Sequence, residues 1–89
     1  MLVRIPTQLR SYTDGAGVVT VDARVSLTLD GVLRALDQRH QGFRFRIIDE
    51  QARVRPHIKL FVDGVLRRDL DTAVDEAEEL MIVGALSGG

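Results

Sequence analysis

Only one stretch of this chain carries a clear helical period, and strand-like runs stand on both sides of it. Leu29, Val32, Leu33 and Leu36 fall at i, i+3, i+4 and i+7, which gathers four aliphatic side chains on one helix face. Thr28 stands where an N-cap belongs, and Asp30 puts a negative charge in the first turn, where the helix dipole favours it. Gly42 occupies a place suited to a left-handed residue at the helix end. Gly31 lies near the start and costs that first turn some stability. A single amphipathic helix needs a second layer against which to bury its stripe, and here the second layer has to be a sheet.

The strand signals are distributed accordingly. Leu2–Ile5 is short, apolar and ended by Pro6, with Val3 and Ile5 on one face. Thr13-Asp14-Gly15-Ala16-Gly17 is a turn cluster before the β-branched run 18–21, so the N-terminal region reads as a hairpin with a long loop. Residues 57–62 alternate, with Ile58, Leu60 and Val62 on one face and Lys59 and Phe61 on the other. Asp63-Gly64 is a two-residue hairpin turn that returns the chain through Val65-Leu66-Arg67. Residues 70–74 suit a short turn over the core, residues 75–79 an acidic loop, and residues 80–83 a last strand. Residues 43–56 carry no clean period and read as an irregular segment with aromatic anchors, although a strand or short helical turn also fits them.

The order strand, strand, helix, strand, short strand, strand places the chain in the α+β class. One helix crossing a mixed sheet is the ubiquitin-like β-grasp, with the last strand in the middle of the sheet. A ferredoxin-like arrangement needs a second helix, for which only residues 43–50 are available. Eighty-nine residues make one domain, able to bury about 60–65% of its unfolded surface. The expected division is a β-grasp domain over residues 1–85 and a tail over 86–89.

Composition narrows the chemistry. Twelve basic and thirteen acidic residues nearly cancel, which argues against general nucleic-acid binding through phosphate neutralisation. There is no cysteine, so no disulfide, thiolate metal site or cysteine nucleophile can form on this chain. His40 and His57 have no ligand partners at metal-binding spacing, and no metal is expected; His40 near a helix end suits the C-terminal dipole. Neither a Ser/His/Asp spacing nor a phosphate-binding glycine loop is present, so the chain is not expected to turn over substrate itself. No apolar run reaches the ~20 residues a membrane helix needs, and the first residues do not form a secretory signal, so a cytoplasmic setting is expected.

The sequence closes on Leu80-Met81-Ile82-Val83 running into Gly84-Ala85-Leu86-Ser87-Gly88-Gly89. Two terminal glycines carry no Cβ and allow a backbone carboxylate to thread a narrow channel. With the grasp pattern, this ending resembles the sulfur carriers of the MoaD/ThiS family over essentially the whole chain. The local echo is Ile5-Pro6-Thr7-Gln8-Leu9-Arg10, with Thr13 and Gly15 after it, which is similar to CysO-type members; so is the longer segment between the helix and the third strand. Gly84 departs from the pattern, where relatives often carry proline.

The resemblance implies a protein co-substrate rather than an enzyme. An E1-like adenylyltransferase would use ATP and magnesium to convert the Gly89 carboxylate into an acyl-adenylate. A sulfur donor would then leave a thiocarboxylate, which would serve a sulfur-accepting enzyme. In the CysO-type route that acceptor is a pyridoxal-phosphate cysteine synthase, followed by a peptidase. Gly89 is then the reacting residue, Gly88 passes the channel, and Ser87, Leu86 and Ala85 line the entry groove. By alternation Phe61, Met81 and Val83 share the outer face of the sheet and form a candidate partner surface, unless residues 43–56 cover Phe61. Arg44, Arg46, Arg53 and Arg55 read as a solvated basic loop rather than a phosphate site, and the acidic residues Asp75, Glu76, Glu78 and Glu79 as a soluble turn or a steering patch. Three other readings stand beside the carrier: the small subunit of a molybdopterin synthase, a ubiquitin-like modifier joined through Gly89, and a binding module with an inert tail. The lone Lys59 leaves a modifier little scope for building chains on itself.

Overall fold

The computed structural model describes residues 1–84. Five strands form one sheet in the order β2-β1-β5-β3-β4. They are β1 (Leu2–Arg4), β2 (Val18–Thr20), β3 (Ile58–Val62), β4 (Val65–Arg67) and β5 (Glu79–Gly84). β1 runs parallel to β5, and the other three pairings are antiparallel, so the sheet is mixed. The last strand is the middle one, as the helix-over-sheet reading requires.

Three helices lie along the chain between β2 and β3: α1 (Ala23–Ser26), α2 (Leu29–Arg39) and α3 (Phe43–Ile47). The main helix α2 begins where its sequence says it should. Thr28 has extended backbone angles, and its Oγ1 accepts the Gly31 N–H at 3.1 Å. Leu29, Val32, Leu33 and Leu36 are fully buried against Val3, Ile5, Ile58, Leu60, Leu80 and Ile82 from the inner face of the sheet. Asp30 does more than face the dipole. Its carboxylate takes Arg34 at 2.9 Å one turn along and Arg44 at 2.9 Å from α3, so it ties the two helices together.

Residues 43–56 are more regular than an irregular segment. Gly42 takes φ +92°, but it opens α3 rather than closing α2, whose C-cap is His40. The Asp37 carboxylate accepts the N–H groups of Gly42 and Arg44, fixing the corner between the two helices. Five residues are too few for a hydrophobic period to register, yet Phe43, Ile47 and Ile48 are completely buried. Their burial holds this helix in place, since local propensity alone cannot. An isolated bridge, Ile48 to Val54, then closes the turn that leads back to β3.

The first hairpin also contains an unexpected element. Its loop is a seven-residue 3-10 helix, Thr7–Thr13, which begins directly after Pro6 and ends at Asp14 with φ 55°. Leu9 and Thr13 anchor it in the core, and the Thr13 hydroxyl donates to the Ala16 carbonyl at 2.8 Å. The second hairpin follows its signal: Asp63 (φ 48°) and Gly64 (φ 83°) are both left-handed, as a two-residue primed turn demands. Val74 packs into the core, with Leu70 partly buried beside it. Among the described residues, no helix is long and apolar enough to cross a membrane.

Candidate functional site at the end of the central strand

The inner face of the sheet is occupied by the helices, which leaves the outer face open. Strand register decides what stands there. Leu66 is opposite Phe61, Phe61 opposite Met81, Met81 opposite Arg4, and Arg4 opposite Val18. These residues form one row across all five strands. Val83, opposite Lys59, extends the apolar part by one further position along β5. Leu66, Met81, Val83 and Val18 are exposed and Phe61 is half-buried. The segment 43–56 does not cover Phe61, because Phe43, Ile47 and Ile48 are buried with the residues of the opposite face.

The structure therefore brings Phe61, Met81 and Val83 together on one open surface. Leu66 completes it, and the two-residue turn before it already dictated that partnership, since such a turn fixes the register of its strands. The only ion pair on this face joins Arg4 and Glu79 at 2.7 Å, among the described residues. Arg4 thus interrupts the row between Met81 and Val18, and the exposed Lys59 stands beside Val83, which leaves Leu66, Phe61 and Met81 as its continuous apolar part.

The acidic stretch is divided in two. Asp75, Glu76 and Glu78 face solvent, whereas Glu79 opens β5 and holds Arg4. The Asp63 carboxylate accepts the N–H groups of Glu78 and Glu79, both at 3.0 Å, and so pins the entrance of the central strand. The arginines of residues 44–55 are all engaged within the protein. Arg44 pairs with Asp30, Arg46 donates to the Tyr12 hydroxyl, Arg53 donates to Gln51, and Arg55 donates to the Phe45 carbonyl while stacking 4.6 Å over its ring. They brace the loop, which accounts for their number without a phosphate. His40 closes α2 as expected of its position, and its Nε2 is buried without a hydrogen-bond partner among the described residues.

At the far end of β5 the described chain stops at Gly84, held between Ile58 on β3 and the side chain of Gln8. Gly89, Gly88, Ser87, Leu86 and Ala85, the tail residues singled out from the sequence, lie outside the described residues.

No family model and no curated protein sequence matches the chain. Solved structures do. CysO in the BexX/CysO complex of Amycolatopsis orientalis is 26% identical, with a TM-score of 0.85 over 99% of this chain and 98% of that one. CysO of Mycobacterium tuberculosis follows at 24% identity and 0.83, over 96% and 98% of the two chains. SAMP1 of Haloferax volcanii is 23% identical at 0.78, over 100% and 98%. By fold, the chain is a ubiquitin-like β-grasp protein, similar to these CysO and SAMP1 structures. The similarity is to small carrier proteins. The A. orientalis CysO was crystallised in complex with BexX, an instance of such a fold engaging a partner protein.

Proposed function

We propose that the chain is a sulfur carrier that reacts through the carboxylate of Gly89. A partner enzyme of the E1-like class binds ATP and magnesium. A Gly89 carboxylate oxygen attacks the α-phosphate, pyrophosphate leaves, and an acyl-adenylate remains. A sulfide-class donor then displaces AMP, the C–O bond to the phosphate breaking as the C–S bond forms, which leaves a thiocarboxylate with its sulfur as the nucleophile. The ordinary carboxylate is ionised at neutral pH and a poor electrophile, so the adenylate is what makes the exchange possible. The likeness to CysO supports delivery of this sulfur into cysteine; the acceptor in this reading is an enzyme of the pyridoxal-phosphate class.

One observation carries the reading: an open apolar row, Leu66-Phe61-Met81, crosses the strand whose continuation is the di-glycine tail. An enzyme docking there through Phe61, Met81 and Val83 has the tail beside its catalytic pocket, and residues 85–88 enter its groove as an extended peptide. The exposed Asp75, Glu76 and Glu78 give that partner a reason to be basic around its docking site.

Pyrophosphate exchange tests the first step. With an E1-like enzyme, magnesium, ATP and labelled pyrophosphate, the chain should support exchange into ATP, and a chain lacking Gly88 and Gly89 should not. Equal exchange with both chains contradicts the proposal. Recovery of the protein from its own cells joined through Gly89 to a lysine would instead establish a modifier.

A further inference from the structure

Where β5 leaves the sheet, its neighbour on one side has already ended. β1 pairs with β5 only as far as Arg4 opposite Met81. Leu2 donates its N–H to the Glu78 carbonyl at 2.9 Å, which fixes the side of β5 on which that carbonyl lies. Carbonyls alternate along a strand, so those of Leu80, Ile82 and Gly84 face the same side. On β1 the next donor in step after Leu2 and Arg4 belongs to residue 6, and residue 6 is proline, which has none. The ladder therefore stops, and the chain turns into the 3-10 helix. The Gly84 carbonyl then points at the space that β1 has vacated.

Gln8, in the first turn of that 3-10 helix, fills the place. Its Nε2 donates to the Gly84 carbonyl at 2.6 Å. A Cβ on residue 84 would lie 2.5 Å from this same Nε2 and 3.2 Å from Gln8 Cδ, so only glycine leaves the side-chain amide room to reach the backbone. The groove beside it, about 350 Å³, is lined by Pro6, Gln8, Met81, Val83 and Gly84 among others, and joins the apolar row to the start of the tail. Gln8 is itself exposed and contributes little to the core. Its one conspicuous partner is the residue from which the tail departs.

We propose that Gln8 is a positioning residue for the tail: it replaces the missing strand at the end of β5 and fixes the heading on which the chain leaves Gly84. This rests on the carrier reading for its purpose, although the latch itself does not. A partner enzyme that receives a tail with a fixed heading has less backbone to order on binding, so loss of the latch should appear in affinity and leave the chemical step alone.

The test is a cycle of Gln8→Ala, Gly84→Ala and the double variant. In the wild-type protein, NMR should show a through-hydrogen-bond coupling between Gln8 Nε2 and the Gly84 carbonyl. Gln8→Ala should remove it and shift the Gly84 carbonyl resonance, with the melting temperature unchanged. With an E1-like enzyme and MgATP, Gln8→Ala should raise KM for the carrier about three- to ten-fold at constant kcat. Gly84→Ala should do the same by pushing the amide away. The double variant should be no worse than Gln8→Ala, because the second change has nothing left to displace. An unshifted Gly84 carbonyl in Gln8→Ala overturns the latch. An unchanged KM, or a kcat that falls together with the melting temperature, overturns the positioning role. If the wild-type chain is adenylated by no such enzyme, the carrier reading fails, and the NMR arm still decides the latch.

Discussion

Gly31 shows two preferences acting against each other at a single residue. On propensity alone, alanine in its place would favour α2 by about 1 kcal/mol. The structure reverses that gain, because a Cβ at residue 31 would sit 2.0 Å from the Ser26 carbonyl oxygen, a backbone atom with no room to swing away. Gly31→Ala should therefore destabilise the protein by about 1–3 kcal/mol net, measured by urea denaturation. A more stable variant would mean that α1 and α2 do not approach so closely. Phe61 poses the opposite case. It is half-buried on the open face, so Phe61→Ala should cost little stability while weakening the engagement of an adenylating partner by ten-fold or more. Calorimetry and partner titration on one sample separate these effects. Loss of stability without loss of binding would assign Phe61 to the fold alone.

At the scale of elements, what was legible in the sequence was what the chain determines locally. The stripe of α2 and its Thr28 cap were readable because both lie within a few residues of each other. The cap contributes one hydrogen bond, and Thr28→Ala should lower stability by about 1 kcal/mol, or roughly 4–8 °C in Tm for a domain of this size. The β3–β4 hairpin was readable from Asp63-Gly64 for the same reason. The short helices were not. α1 and α3 have four and five residues, fewer than any period needs, and tertiary packing of Ala23, Phe43 and Ile47 holds them. Gly42 shows the consequence: its left-handed angle was legible, but not that it opens α3 instead of ending α2. The 3-10 helix after Pro6 has the same cause, since burial of Leu9 and Thr13 selects it over an open loop. Of the candidate site, the outer-face alternation of Phe61, Met81 and Val83 was legible from a period of two. The Gln8–Gly84 bond joins residues 76 apart, and no local signal announces it.

Few ion pairs tie the described residues together, and Asp30 takes part in two of them. Partial burial pushes its carboxyl upward, but hydrogen bonds and opposite charge from Arg44 and Arg34 outweigh that and hold it below the ordinary carboxylate range. A carboxylate lowered on folding contributes stability above its unfolded value and loses it as pH falls through the folded one. Denaturant midpoints should therefore drop as the medium is acidified below about pH 4, and Asp30→Asn should flatten part of that drop. A variant as acid-sensitive as the wild type would place the coupling elsewhere. The folded unit presents an open apolar face beside the strand that leads into the tail; on the proposed reading, the partner supplies the active site and this chain the acyl group. The most direct measurement is the intact mass of the protein after incubation with an E1-like enzyme, MgATP and sulfide. The account predicts a gain equal to exchanging one oxygen for sulfur, located at Gly89 by fragmentation; an unchanged mass with enzymes shown to be active on their own carriers would contradict it.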